Sequence, residues 1–279
     1  MIPAPQALLE EFGAFVEMAT GLSFASGRQH DLRRIVEDMA QQEGFSSVEA
    51  CLHGMMAAAP DRAAVQKLGR YFSNRETYFF RDAAMFSVLK LEILPRLIAA
   101  RRAKGSKALR LLSAGCSSGE EAYSLAMLAR DLPGMGEWDV RVVGVDMNPV
   151  LLQTARAASY GAWSFRGVPE SLRLRHFEPL GEERFALLPR IKAGVEFRYL
   201  NLAGADFSAL DDATPFDLVL CQNVLMYFGV EAWRNTVAKI HTVLADDACL
   251  CVAPVECERA LYPQYRPAEF DGLTFFYKA

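Results

Sequence analysis

Apolar residues recur at helical spacing through the first seventy positions: Leu8, Leu9, Phe12, Phe15 and Val16, then Leu32, Ile35, Val36 and Met39, with Gly21, Gly44 and Pro60 as punctuation. That pattern predicts a module of three or four helices. The period is lost in YFSNRETYFFRD (71–82), which crowds aromatics, two arginines and a threonine into one short stretch with no single apolar face. Ala83 to Arg102 then reads as one longer helix that Pro95 interrupts. From Ala108 short apolar runs alternate with helical stretches. ALRLLSAG (108–115), VRVVGVD (140–146), VEFRYLNL (195–202), FDLVLCQNV (216–224), ACLCVAP (248–254) and LTFFYK (273–278) read as strands, and Gly119–Asp131, Pro149–Ala158 and Val230–Leu244 as helices. Continuous apolar strands alternating with helices predict a parallel sheet covered on both faces.

The Gly- and Pro-rich stretch from Ser159 to Ala193 is too long for an ordinary connection and predicts a small inserted subdomain. The expected organisation is a helical domain at 1–70, a linker and connecting helix at 71–107, and a ligand-binding α/β domain at 108–279 with an insertion at about 160–195.

Composition narrows the function classes. A chain of 279 residues with 52% hydrophobic residues can bury a large core, and 30 basic against 34 acidic residues give no global pull toward nucleic acid or an anionic membrane. The basic run Arg101–Arg110 reads as a solvated helix end. With neither a signal-like amino terminus nor an apolar run near 18 residues, the expectation is a cytoplasmic, monomeric protein that is not membrane-inserted. The six cysteines form no C-x-x-C pair and are expected to be reduced, and no metal site is indicated. The four histidines fall outside every motif and are expected to be structural.

SAGCSSGEEAYS (113–124) closes the first strand and opens a helix, where Gly115 and Gly119 permit a tight turn and close backbone approach to a ligand. The spacing is not G-x-G-x-x-G, and Glu120 and Glu121 would repel a pyrophosphate while either could hold a cationic amine. Their ordinary role would be to stabilise a helix start. Asp146 ends the second strand, where an acid can take both ribose hydroxyls or, with Asn148-Pro149 following, cap the next helix. Asn201-Leu202 and Gln222-Asn223-Val224 end later strands, at the side of the sheet where such folds bind ligands, and Tyr227 follows. An amine-seeking acid, a ribose-seeking acid and no phosphate trap suit S-adenosylmethionine better than NAD or ATP.

These pieces, ETYFFRD, SAGCSSGEEAYSLAM, VVGVDMNPVLLQTAR, LNL and FDLVLCQNVLMYF, run in the order found in the CheR-type chemoreceptor methyltransferases, which the chain resembles over nearly its whole length. The resemblance implies a Rossmann-like S-adenosylmethionine-dependent methyltransferase sheet, an all-α amino-terminal domain and a small β-subdomain inserted near YGAWSFRG. It implies a protein-glutamate O-methyltransferase that forms glutamyl methyl esters on chemoreceptor helices and releases S-adenosylhomocysteine. Carried over by position, Thr77 and Arg81 contact the cofactor or active site, Glu120 or Glu121 the methionine amine, and Asp146 the ribose. Asn201, Leu202, Asn223 and Val224 line the adenine and methionine pocket, and Tyr227 lies beside the methyl donor. Asn74 belongs to the same cofactor set, one position out of the family's N-x-T register. Gln222 stands where the family commonly has Arg, and Ala253-Pro254-Val255-Glu256 where it has G-H-S-E. The helix DLRRIVEDMAQQEG is less basic than its counterparts in the family.

A glutamate acceptor is already ionised at neutral pH, so transfer needs placement and desolvation rather than a general base, and Arg81 is the cation suited to orient a carboxylate. The competing readings are methylation of another protein or small carboxylate, a module that senses S-adenosylmethionine without turnover, and an NAD-linked dehydrogenase. The incomplete glycine fingerprint disfavours the last.

Overall fold

The computed structural model describes residues 5–24, 27–181, 183–210 and 214–279. Four helices open the chain: α1 (Gln6–Thr20), α2 (Gln29–Gln42), α3 (Val48–Met56) and α4 (Arg62–Phe72). Ser47 and Asp61 accept from the backbone N–H groups of Ala50 and Ala64, which fixes the starts of α3 and α4. The helical-period residues Phe12, Val16, Leu32, Val36 and Met39 meet Leu52, Leu68 and Phe72 in a core of their own.

After the aromatic segment come α5 (Ala83–Val88), a π turn at Leu89–Ile93 and α6 (Leu94–Ala103). The expected break at Pro95 does not occur. The ladder widens one turn earlier, with the Leu94 N–H reaching back five residues to the Leu89 carbonyl. The wider turn relieves the clash a proline ring makes with the preceding turn and lets the rod continue.

The remaining elements are β1 (Ala108–Ala114), α7 (Glu120–Asp131), β2 (Asp139–Asp146), α8 (Pro149–Ala157), β3 (Ser159–Gly161), α9 (Glu170–His176), β4 (Phe177–Pro179), β5 (Arg184–Leu187), α10 (Pro189–Lys192), β6 (Val195–Tyr199), β7 (Phe216–Cys221), α11 (Val230–Val243), β8 (Leu244–Val252), β9 (Tyr265–Phe270) and β10 (Leu273–Lys278). Seven strands form one sheet in the order β6-β2-β1-β7-β8-β10-β9, with the first five parallel and β10 antiparallel to both its neighbours. Alternate residues of one strand serve opposite cores: Leu109 and Leu111 face the layer of α5–α7, whereas Leu112 and Ala114 face the layer of α11. Strands buried on both faces are why these segments read as continuous apolar runs. Strand β9 has no counterpart in the sequence reading, because Pro267 and alternating charges disguise it.

The insertion after α8 holds a separate antiparallel sheet, β3-β5-β4, with α9 between β3 and β4. Strand order reverses between β1 and β7, so the crevice opens over the carboxyl ends of these two strands.

The helical module closes one side of that crevice. Asn201 donates to the Ala19 carbonyl (2.8 Å), the Ser23 N–H to the Tyr227 carbonyl (2.8 Å), and Asn148 to the Ser73 hydroxyl (2.9 Å). Gly69 is what lets α4 approach: a Cβ there would sit 2.9 Å from the Met147 carbonyl oxygen, just past β2. Gly69→Ala is therefore expected to cost about 1–3 kcal/mol as an overpacked contact, read as a lower urea midpoint than the parent protein's. An unchanged midpoint would show that the junction gives freely.

Candidate active site

The turn after β1 is the floor of the site. Gly115 adopts φ +82°, and a Cβ on it would fall 2.4 Å from Val224, so both backbone shape and space demand glycine. Ser117 follows in the same left-handed region at φ 51°. Asp146, at the end of β2, holds the turn: its carboxylate accepts from the backbone N–H of Ser117 (2.9 Å) and from that of Asn148 (2.8 Å). Asp146 is not the cap of α8; Asn148 is, accepting from Val150 and Leu151. Burial pushes the Asp146 carboxyl up, and the backbone donors draw it back.

Helix rotation separates the two glutamates of α7. Glu121 lines the cavity and accepts from the Ser113 hydroxyl at 2.6 Å. Burial pushes its carboxyl up to about 7, against the pull of Ser113 and with the Glu256 charge adding to the rise. Glu120 points elsewhere: its carboxylate accepts from Ser118 and from Ser164 of the insertion, and it is buried outside the cavity. Of the two residues left open by the spacing, the structure brings only Glu121 to the crevice.

The segment 71–82 forms the roof. Phe79 is 1% exposed and sits among Tyr160, Phe165 and Phe177 of the insertion, with ring centroids 4.9–5.2 Å away. Its N–H donates to the Ser164 carbonyl. Phe80 is only partly buried, packs on Phe86, and donates its N–H to Ser124. Phe80 (φ 54°) and Asp82 (φ 63°) are both left-handed, a strained pairing that turns Arg81 inward. Arg81 donates to the Glu76 carbonyl (2.6 Å) and to the Asn223 side-chain oxygen (3.2 Å), and it makes no ion pair among the described residues. Asn223 is itself left-handed at φ 58°.

Asn74, Thr77, Asn201, Leu202, Asn223, Val224 and Tyr227 all line the same cavity with Arg81, Gly115, Glu121 and Asp146, around a space of about 890 Å³ that includes its open mouth. Asn74 donates to the Tyr227 hydroxyl at 2.8 Å, and the Arg28 guanidinium lies 5.1 Å from the Tyr227 ring centre. None of the four histidines is in the lining. His176 is buried against Asp131, and His241 packs on Tyr265.

Several lining residues had no local signal. Leu22 and Ser73 arrive from the helical module, and Met147 follows Asp146. Behind the lining, Glu256 shapes the wall without touching the cavity. It is fully buried just past β8, and its two oxygens accept from the backbone N–H groups of Asn223, Val224, Met226 and Ala253, at 2.8–3.1 Å. One side chain thus shapes the loop that carries Asn223 to Tyr227. Its position after a sheet strand, closing A-P-V-E, was the available hint.

Among the described residues the cavity wall carries carboxylates, amides and a single guanidinium, that of Arg81, a poor set for a phosphate. Two buried polar atoms in its wall, the Ser117 hydroxyl and the Gln222 amide nitrogen, have no partner among the described residues, as expected of a wall completed by a polar ligand. The fold and this lining define an S-adenosylmethionine-dependent methyltransferase. Residues 75–257 match the family described as CheR methyltransferase, SAM binding domain, and the chain belongs to that family.

Among its relatives are chemotaxis protein methyltransferase 1 of Pseudomonas aeruginosa, 32% identical with 94% of each chain covered, and chemotaxis protein methyltransferase Cher2 of Pseudomonas putida, 29% identical with 92% of each covered. A probable biofilm formation methyltransferase, WspC, of Pseudomonas aeruginosa is 34% identical over 65% of this chain and 41% of its own length. No helix among the described residues is long and apolar enough to cross a membrane.

Glu256→Gln keeps the shape but replaces one acceptor oxygen with a donor facing backbone N–H groups. We expect a loss of at least about 2 kcal/mol in unfolding free energy, from buried donors left unpaired, together with weakened cofactor binding. Wild-type stability in this variant would show that the carboxylate is dispensable to the loop.

Proposed function

We propose that the protein is a protein-glutamate O-methyltransferase that esterifies glutamate side chains on the cytoplasmic helices of chemoreceptors, acting as a cytoplasmic monomer. Arg81 carries the acceptor reading. It is a guanidinium at the cavity wall, its hydrogen bonds go to a carbonyl and an amide, and it forms no ion pair among the described residues. A cation held this way is suited to receive a carboxylate.

Bound S-adenosylmethionine supplies a methyl group activated on a sulfonium. Glu121 would hold its amine and Asp146 its ribose, while Gly115, Asn201, Leu202, Asn223 and Val224 would line the space for its adenine and methionine parts. Thr77 lines the roof, and Asn74 orients Tyr227 beside the reacting carbon. The acceptor glutamate, with an unperturbed pKa near 4.3, arrives ionised and needs no base. Arg81 would orient it toward the methyl group, and the cavity under the roof would shield the pair from water.

The reading predicts base-labile methyl incorporation when the protein, labelled S-adenosylmethionine and receptor-bearing membranes are mixed. Arg81→Ala should abolish transfer without loss of fold. Stable or absent label, or normal turnover by that variant, would refute it. The relative named a probable biofilm formation methyltransferase points to a variant of the same reading, in which the acceptor belongs to biofilm formation rather than chemotaxis. Membranes with and without each receptor class separate the two.

A pH dependence follows from Glu121, whose carboxyl is pushed up to about 7 in the free protein. A cationic amine favours the ionised form, so binding expels a proton below that pH. The dissociation constant of S-adenosylmethionine should then climb toward tenfold per unit as pH falls below about 7, and Glu121→Gln should bind weakly with a flat profile. Calorimetry in buffers of different ionisation enthalpy reads the proton directly.

A further inference from the structure

Outside the cavity, the insertion presents a feature that neither cofactor binding nor methyl transfer uses. Trp163, in the turn after β3, is 71% exposed. The Arg166 guanidinium lies over its ring at 4.1 Å and over the Tyr78 ring at 3.8 Å. Tyr78 belongs to the roof and lines the cavity, and the Arg81 guanidinium is 5.9 Å from the same ring. Arg81, Tyr78, Arg166 and Trp163 therefore form a continuous cation–aromatic ladder from the cavity to the protein surface. Glu76 pairs with Arg166 at 3.2 Å but is more than half exposed, and the Glu120 and Glu121 carboxylates lie within electrostatic reach of Arg166 and Arg81 from the protein side. The ladder ends in an apolar ring open to solvent.

Such a ring is out of scale for a small carboxylate, which Arg81 alone would satisfy. An exposed tryptophan stacked with arginine has the composition that dominates protein–protein contacts. The two guanidiniums lie 3.8 and 5.9 Å from the centre of one ring, so two carboxylates bound to them would lie roughly one to two helical turns apart, about 5–10 Å.

We propose that the Tyr78–Arg166–Trp163 stack is the docking surface for the acceptor, and that it takes a helix bearing a second carboxylate three, four or seven residues from the one to be methylated. Trp163 packs on the aliphatic face of that helix, and Arg166 exchanges Glu76 for the incoming acid. The proposal rests on the reading of the protein as a protein-glutamate methyltransferase and adds how that enzyme selects its site.

The experiment uses the full chain and helical acceptor peptides with one methylatable glutamate and a second acid at chosen spacings. Trp163→Ala and Arg166→Gln should each raise the acceptor KM roughly tenfold or more, with kcat within about twofold and the S-adenosylmethionine Kd unchanged. Trp163→Phe should retain most of the affinity, whereas Arg166→Lys should not. Replacing the second acid of the peptide by glutamine should remove most of the penalty of Arg166→Gln, the non-additivity expected of a direct pair. Unchanged acceptor KM in both variants overturns the proposal. So does a joint loss of kcat and cofactor affinity, which would assign the stack to holding the roof, or a preference for an acid two residues away, which would indicate an extended acceptor. If the unmodified protein esterifies no peptide or receptor, the parent reading fails, and this one with it.

Discussion

The site depends on buried carboxylates that satisfy backbone N–H groups where parallel strands end. The loops beyond β1, β2, β7 and β8 leave the sheet's hydrogen-bond ladder and turn sharply, and Ser117 and Asn223 adopt left-handed backbones there. Buried donors without partners would make such turns costly. Asp146 meets two of them and Glu256 four. Their burial raises both carboxyls, and the donors offset that penalty, so charge, loop shape and ligand wall are parts of one arrangement.

The aromatic segment is held by a different force. Phe79 is surrounded by rings of the insertion, and the Phe79 N–H and the Glu120 carboxylate both bond Ser164. The roof of the cavity and the small sheet are therefore packed and hydrogen-bonded together. Glu120 contributes to this seam, while its neighbour Glu121 faces the cavity.

Much of the fold was legible because its signals are local. Strands β1, β2, β7 and β8 are buried on both faces and so spell out apolar runs, and the helical module shows its period in Phe12, Val16, Leu32 and Val36. Asp146 and Asn223 could be placed because strand ends are marked by a switch from apolar to polar residues. The rest depends on geometry a linear reading lacks. Adjacent helical residues differ by about 100° of rotation, which is what separates Glu120 from Glu121. Pro95 was misread because a wider turn absorbs it. Strand β9 was missed because an edge strand tolerates proline and charge. Leu22 and Ser73 reach the cavity only through tertiary docking, and Glu256 acts on a loop some thirty residues before it.

The contacts from Asn201 to Ala19, from Ser23 to Tyr227 and from Asn148 to Ser73 make the helical module part of the cavity wall, although that module has a core of its own. A ligand in the cavity is therefore bound by both halves of the molecule. At a concentration one hundred times its dissociation constant, such a ligand adds about 2.7 kcal/mol to whichever arrangement binds it. A methyl donor seated in this cavity would act as a reversible adhesive between the two halves, its hold set by its concentration.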